Sequence, residues 1–125
     1  MNENEIARMV VDKCFMIHNL YGPGLFESVY EEVLCFELDK KGIAYKRQYP
    51  VPLVHESTKL EAGFRADLII ENKVLLELKS IEALADVHYR QVLTYLKLTN
   101  LKLGLLINFN VSYIKQGIHR IVNNL

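Results

Sequence analysis

The chain has 125 residues, half of them apolar, which suffices for one hydrophobic core without disulfide or metal staples. Fifteen basic residues balance fifteen acidic ones, which argues against a domain devoted only to holding nucleic acid but is compatible with an enzyme whose acidic site residues offset local positive charge. No apolar run approaches the ~20 residues that cross a bilayer, and the polar start MNENEIARMVVDK is unlike a secretory signal, so a soluble, cytoplasmic chain without a membrane partner is expected.

Ile6, Val10, Cys14 and Ile17 recur at helical spacing between Asn4 and Leu20 and predict a first amphipathic helix that stops at Gly22-Pro23-Gly24. Val29, Val33, Leu34, Phe36 and Leu38 predict a second, with Glu27, Glu31 and Glu32 near its positive end and Gly42 closing it. Cys14 and Cys35 fall in these helices with no metal-ligand spacing, so buried free thiols in a reducing compartment are expected. Residues 44–55 read as a strand that Pro50 and Pro52 confine to a sheet edge. Residues 59–70 and 74–80 read as two strands, both becoming continuously apolar, as the centre of a sheet covered on both faces requires. Tyr89, Val92, Leu93 and Leu96 give a helix over 86–98 with Asp86 near its start, and 101–109 a further buried strand. Residues 118–122 fit either an edge strand or a last helical turn. With no repeat or linker, residues 1–125 are expected to form one domain, an α/β (α+β) sandwich of two helices, three strands, a helix and a strand.

Asp67, Glu77 and Lys79 place three charges inside apolar strands, where an isolated charge costs several kcal/mol or more; a metal ion with a lysine beside it is one partner that would offset that cost. On a period of two, Glu77 and Lys79 share a face, and Asp67 joins them only if residue 67 lies opposite 77. That register pairs 70 with 74 and leaves Glu71-Asn72-Lys73 as a three-residue hairpin loop, with Asn72 or Lys73 as its left-handed residue. Two carboxylates so placed can share one small cation, and Lys79 can either prepare an attacking water or stabilise charge on a phosphate. Gln91 and Tyr95, four apart, share a face with His88, away from the Tyr89, Val92 and Leu96 stripe. His18 and His88 read as hydrogen-bonded structural histidines. Lys40, Lys41, Lys46 and Arg47 form a basic cluster that is either a solvated surface or a guide for a nucleic-acid backbone.

Gly24-Leu25-Phe26-Glu27-Ser28-Val29-Tyr30 resembles the naming motif of the GxxExxY proteins, a family of the PD-(D/E)xK nuclease superfamily. Arg65-Ala66-Asp67 is similar to that family's aspartate strand, with Ala66 where the superfamily's half-motif has proline. Glu77-Leu78-Lys79 is similar to its ExK strand, Gln91-Val92-Leu93-Thr94-Tyr95 to the QxxxY helix of RecB-like nucleases, and Leu106-Ile107-Asn108-Phe109 to the last strand. The resemblance implies a restriction-endonuclease-like core, a central mixed β-sheet flanked by helices in the order ααβββαβ. It implies Glu27, Asp67, Glu77, Lys79 and Gln91 as catalytic residues, with Asp67, Glu77 and Glu27 on the metal, and Tyr30, Arg65 and Tyr95 as substrate contacts.

The expected activity is Mg²⁺-dependent hydrolysis of phosphodiester bonds in DNA, with RNA as a second substrate class, and Mn²⁺ as a substitute ion. No organic cofactor is expected. Nucleic acid is the expected partner, and a homodimer suits a small nuclease that must span a duplex. The alternative is a non-catalytic module of the same fold that binds nucleic acid or a protein.

Overall fold

The computed structural model describes residues 1–60 and 63–125. Helix α1, Glu3–Tyr21, starts at a reciprocal cap in which the Asn2 side chain accepts from the Glu5 amide at 2.8 Å and the Glu5 carboxylate from the Asn2 amide at 2.9 Å. Helix α2, Glu27–Lys40, follows the glycine-proline turn, and the chain leaves it at Gly42. The inward stripes of both helices, including Ile6, Val10, Ile17, Leu34 and Leu38, are completely buried against one face of a five-stranded sheet. Cys14 and Cys35 are buried free thiols, as expected, and burial pushes them up to about 12 and about 11.

The sheet runs β1-β4-β5-β6-β7, with β1 Tyr45–Pro50, β4 Arg65–Ile70, β5 Val74–Lys79, β6 Leu103–Asn108 and β7 Ile118–Val122. Among the described residues only the β5/β6 pair is parallel, and α3, Asp86–Thr99, makes that crossover on the face opposite α1 and α2. β5 and β6 are covered on both faces, which is why they carry nearly unbroken apolar runs. The architecture is the expected mixed α/β, restriction-endonuclease-like core, and residues 118–122 resolve as an edge strand, introduced by a 3₁₀ turn at Ile114–Gly117.

Two expected strands need correction. The segment 44–55 divides at Val51 into β1 and a short β2, Leu53–His55. The segment 59–70 does not begin in the central sheet: β3, Thr58–Leu60, pairs with β2 in a separate hairpin, and β4 starts only at Arg65. Residues 61–62 of that expected strand lie outside the described residues. The hairpin closes on Glu56 and Ser57, both left-handed at φ 48° and 65°. Neither is the glycine or asparagine that usually announces such a turn.

Candidate active site

The β4/β5 hairpin takes the expected register, Ile70 opposite Val74 and Leu68 opposite Leu76, and the backbone ladder ends there, just short of residues 67 and 77. Its loop holds Glu71 and Asn72 left-handed at φ 54° and 55°, so Asn72 behaves as expected and Glu71, rather than Lys73, is the second such residue. Beyond Leu68 and Leu76 the ladder changes character. The Asp67 amide donates to Glu77 Oε1 at 3.1 Å and the Leu78 amide donates to Asp67 Oδ2 at 2.8 Å, so side-chain carboxylates replace carbonyls as acceptors between the strands. The alternation of β4 also breaks here. Leu68 packs with α1 and α2, yet Ala66 joins the α3 side together with Tyr49 of β1, and between them Gln48 is left-handed at φ 47°.

The two carboxylates are unequally placed. Glu77 is 4% exposed, and burial, reinforced by the negative charge of Asp67, pushes it up to about 8. Asp67 is also raised, mainly by burial, against the opposing pull of the Leu78 amide. Its carboxylate lines an open cavity of about 760 Å³ whose other walls include Gly24, Phe26, Glu27, Glu31, Gln48, Ser80 and Asn110. The half-buried Lys79 lowers both carboxylates through its charge.

Glu27, in the first turn of α2, is exposed; its Oε2 accepts from the Ser80 amide at 3.2 Å, and its charge acts on Glu77. Among the described residues no three His, Cys, Asp or Glu side chains group so as to hold a metal ion. The expected three-carboxylate set is therefore an adjoining pair, Asp67 and Glu77, with Glu27 tied to the next loop. In kind the pair fits a hard cation: the donors are oxygens, they repel one another, and Glu77 Oε2 accepts no hydrogen bond among the described residues.

Gln91 donates to the Tyr95 hydroxyl at 3.1 Å, and Tyr95 feels the charges of Glu77 and Asp67, so α3 turns Tyr95 towards the carboxylates and holds Gln91 beside it. Tyr95, however, is 4% exposed and packs with Val92 and Leu96, which corrects its expected place on a separate face. Tyr30 is likewise corrected as a substrate contact. It is completely buried, stacked on Phe109 with ring centroids 4.2 Å apart, and its hydroxyl donates to Gly22 O at 2.6 Å and accepts from the Leu25 amide at 3.2 Å. It locks the turn that carries Gly24, at φ 101°, and so sets the start of α2. Arg65 is exposed, with Nη1 donating to Gln48 O at 3.2 Å. His18 bonds the Val111 carbonyl and His88 accepts from the Ala85 amide, both structural as expected.

Sequence reasoning missed Glu31 and Gln48. The Gln48 amide donates to Glu31 Oε1 at 2.9 Å and to Asp67 Oδ1 at 3.3 Å, bridging α2 to the centre. Buried Glu31 also receives Arg47 at 2.7 Å, and Arg47 reaches Glu32 at 2.9 Å. Arg47 is thus engaged within the chain and drops out of the basic cluster. Glu31 follows Glu27 by one helical turn, a spacing that would have placed it on the same wall.

A half-buried Asp67 and a buried Glu77, with Lys79 two residues past the second, thus meet where the β4/β5 ladder ends. A family model described as the PD-(D/E)XK nuclease superfamily matches residues 4–121, and the chain belongs to that superfamily, whose members are generally nucleases. Neither the curated proteins nor the solved structures contain a match. No helix among the described residues is long and apolar enough to cross a membrane.

Proposed function

We propose that residues 1–125 work as one cytoplasmic domain that hydrolyses phosphodiester bonds of DNA, with RNA as a second substrate class, and that the chain belongs to the GxxExxY branch of its superfamily. The observation that carries this reading is the pair of opposed carboxylates, one pushed up to about 8 by burial and by the other, with a single lysine acting on both. Such a pair is electrostatically incomplete without a cation. Asp67 and Glu77 are the residues to hold Mg²⁺, or Mn²⁺ in its place, with Glu27 assisting directly or through water. When bound, such an ion polarises a phosphoryl oxygen and acidifies a water molecule.

The chain's own groups supply the rest. Lys79 brings its ammonium to the developing negative charge on phosphate. Gln91, held through its amide nitrogen by Tyr95, keeps its carbonyl oxygen as an acceptor for the attacking water. Arg65, exposed two residues before Asp67, meets a neighbouring backbone phosphate. Tyr95 acts by fixing Gln91, and Tyr30 by fixing the turn before Glu27.

Purified protein assayed with Mg²⁺ and Mn²⁺ on single- and double-stranded DNA and on RNA, beside Asp67→Ala and Lys79→Ala, tests this. Metal-dependent cleavage lost in both variants is expected. Ion binding with no cleavage would favour the non-catalytic binding module instead, and cleavage that Lys79→Ala leaves intact would overturn the role given to Lys79.

A further inference from the structure

The outward side of α2 carries an apolar stripe that the core covers only in part: Val33 packs against the core and Phe26 borders the Asp67 cavity, but most of Phe26 and Phe36 meets solvent. Phe26, Val29, Val33 and Phe36 follow one another at intervals of three, four and three residues and so share one side of the helix. Phe26 is 82%, Phe36 62% and Val29 39% exposed, and Val33 is half-buried, while Tyr30, Leu34 and Leu38 on the opposite side are completely buried. The helix is thus apolar on two sides, and a surface helix that meets only its own core needs one.

The stripe reads the same in both directions. A second, antiparallel copy of α2, related by a two-fold axis midway between Val29 and Val33, sets Phe26 against the second copy's Phe36 and Val29 against the second copy's Val33. That is the self-complementarity a closed two-fold interface requires. The exposed parts of the two phenylalanines amount to roughly 300 Å² per copy, in proportion for the apolar centre of an interface of about 800 Å² per partner.

Charge agrees with this pairing. One turn past Phe36, the exposed Lys40 continues the stripe, 5.7 Å from the Phe36 ring centroid and 3.5 Å from Glu37 Oε2 of its own helix, an ion pair whose lysine end is exposed and can exchange partners. The two-fold carries it to the second copy's 22–24 turn, at the mouth of a cavity walled by Glu27, Glu31 and Asp67. Glu32, which flanks the stripe, is already paired with Arg47, so it does not set bare carboxylates face to face.

We propose that the chain forms a two-fold homodimer through the Phe26-Val29-Val33-Phe36 stripe of α2, with each cavity bordered by the second copy's Lys40. The interface needs neither metal nor nucleic acid, so it stands or falls separately from the proposed chemistry. Sedimentation velocity on the full chain at micromolar concentrations, in chelator, should give a dimer. Phe36→Glu should weaken it about a hundredfold or more without altering circular dichroism, because the replaced side chain is exposed. Phe26→Cys and Phe36→Cys chains should cross-link on mild oxidation when mixed but not when separate, since Cys14 and Cys35 are buried. A monomer throughout, a dimer indifferent to Phe36→Glu, or no cross-link in the mixture would overturn the proposal.

Discussion

Replacing Glu77 with glutamine should flatten the dependence of stability on pH. Burial and then the charge of Asp67 raise this carboxyl from an ordinary value of 4.5 to about 8, so the folded chain holds its proton more tightly than the unfolded one. Between those two values the folded state binds more protons, and stability falls as pH rises. A shift of that size corresponds to a loss of about 3–5 kcal/mol across the window, a large part of the stability of a small domain. Glutamine keeps an oxygen to accept from the Asp67 amide and gains an N–H to donate to the Asp67 carboxylate, so the local bonds survive while the titration disappears. Urea unfolding in chelator at intervals from pH 5 to 8.5, on wild type and Glu77→Gln, reads the difference. The variant's advantage should grow with pH by a few kcal/mol. Parallel profiles, or an advantage that shrinks with pH, would refute the reasoning.

Tyr30→Phe removes the bonds to Gly22 O and the Leu25 amide and should cost about 1–3 kcal/mol, seen as a lower denaturant midpoint, with cleavage falling as the α2 start loosens. Arg47→Ala leaves buried Glu31 with only the Gln48 amide; because Arg47 is partly exposed, a loss of about 1–3 kcal/mol is expected, smaller in high salt. Gly117→Ala would push a Cβ into the Asn108 carbonyl oxygen and should destabilise by about 1–3 kcal/mol or more, measured by thermal melting. Mg²⁺ should raise the melting temperature of wild type and leave that of Asp67→Asn unchanged, by the linkage between ion binding and folding.

The helices and the inner strands were legible because their patterns are set by burial. Ile6 to Ile17 carries a single apolar stripe, and the runs in β4 and β5 have no polar face to lose. The 70–74 pairing is the register that a site shared by Asp67 and Glu77 requires, and it leaves a three-residue loop of common length. What escaped depends on backbone events that composition does not mark. Gln48, Glu56 and Ser57 adopt left-handed conformations without being glycine or asparagine, so the kink within β1 and the turn of the β2/β3 hairpin left no signature. Tyr30 and Tyr95 stand in motifs as substrate contacts and prove buried, because the Gly22 carbonyl and the Gln91 amide satisfy their hydroxyls inside the fold. Glu31 was read as helix-end charge, and its place beside Gln48 and Asp67 required the crossing of α2 over β1.

The most direct test of the carboxylate pair as the ion-holding centre is anomalous diffraction from crystals soaked in Mn²⁺. A peak coordinated by carboxylate oxygens of both Asp67 and Glu77 is expected. Density at neither residue, with Mn²⁺ bound elsewhere or not at all under conditions that support cleavage, would contradict it.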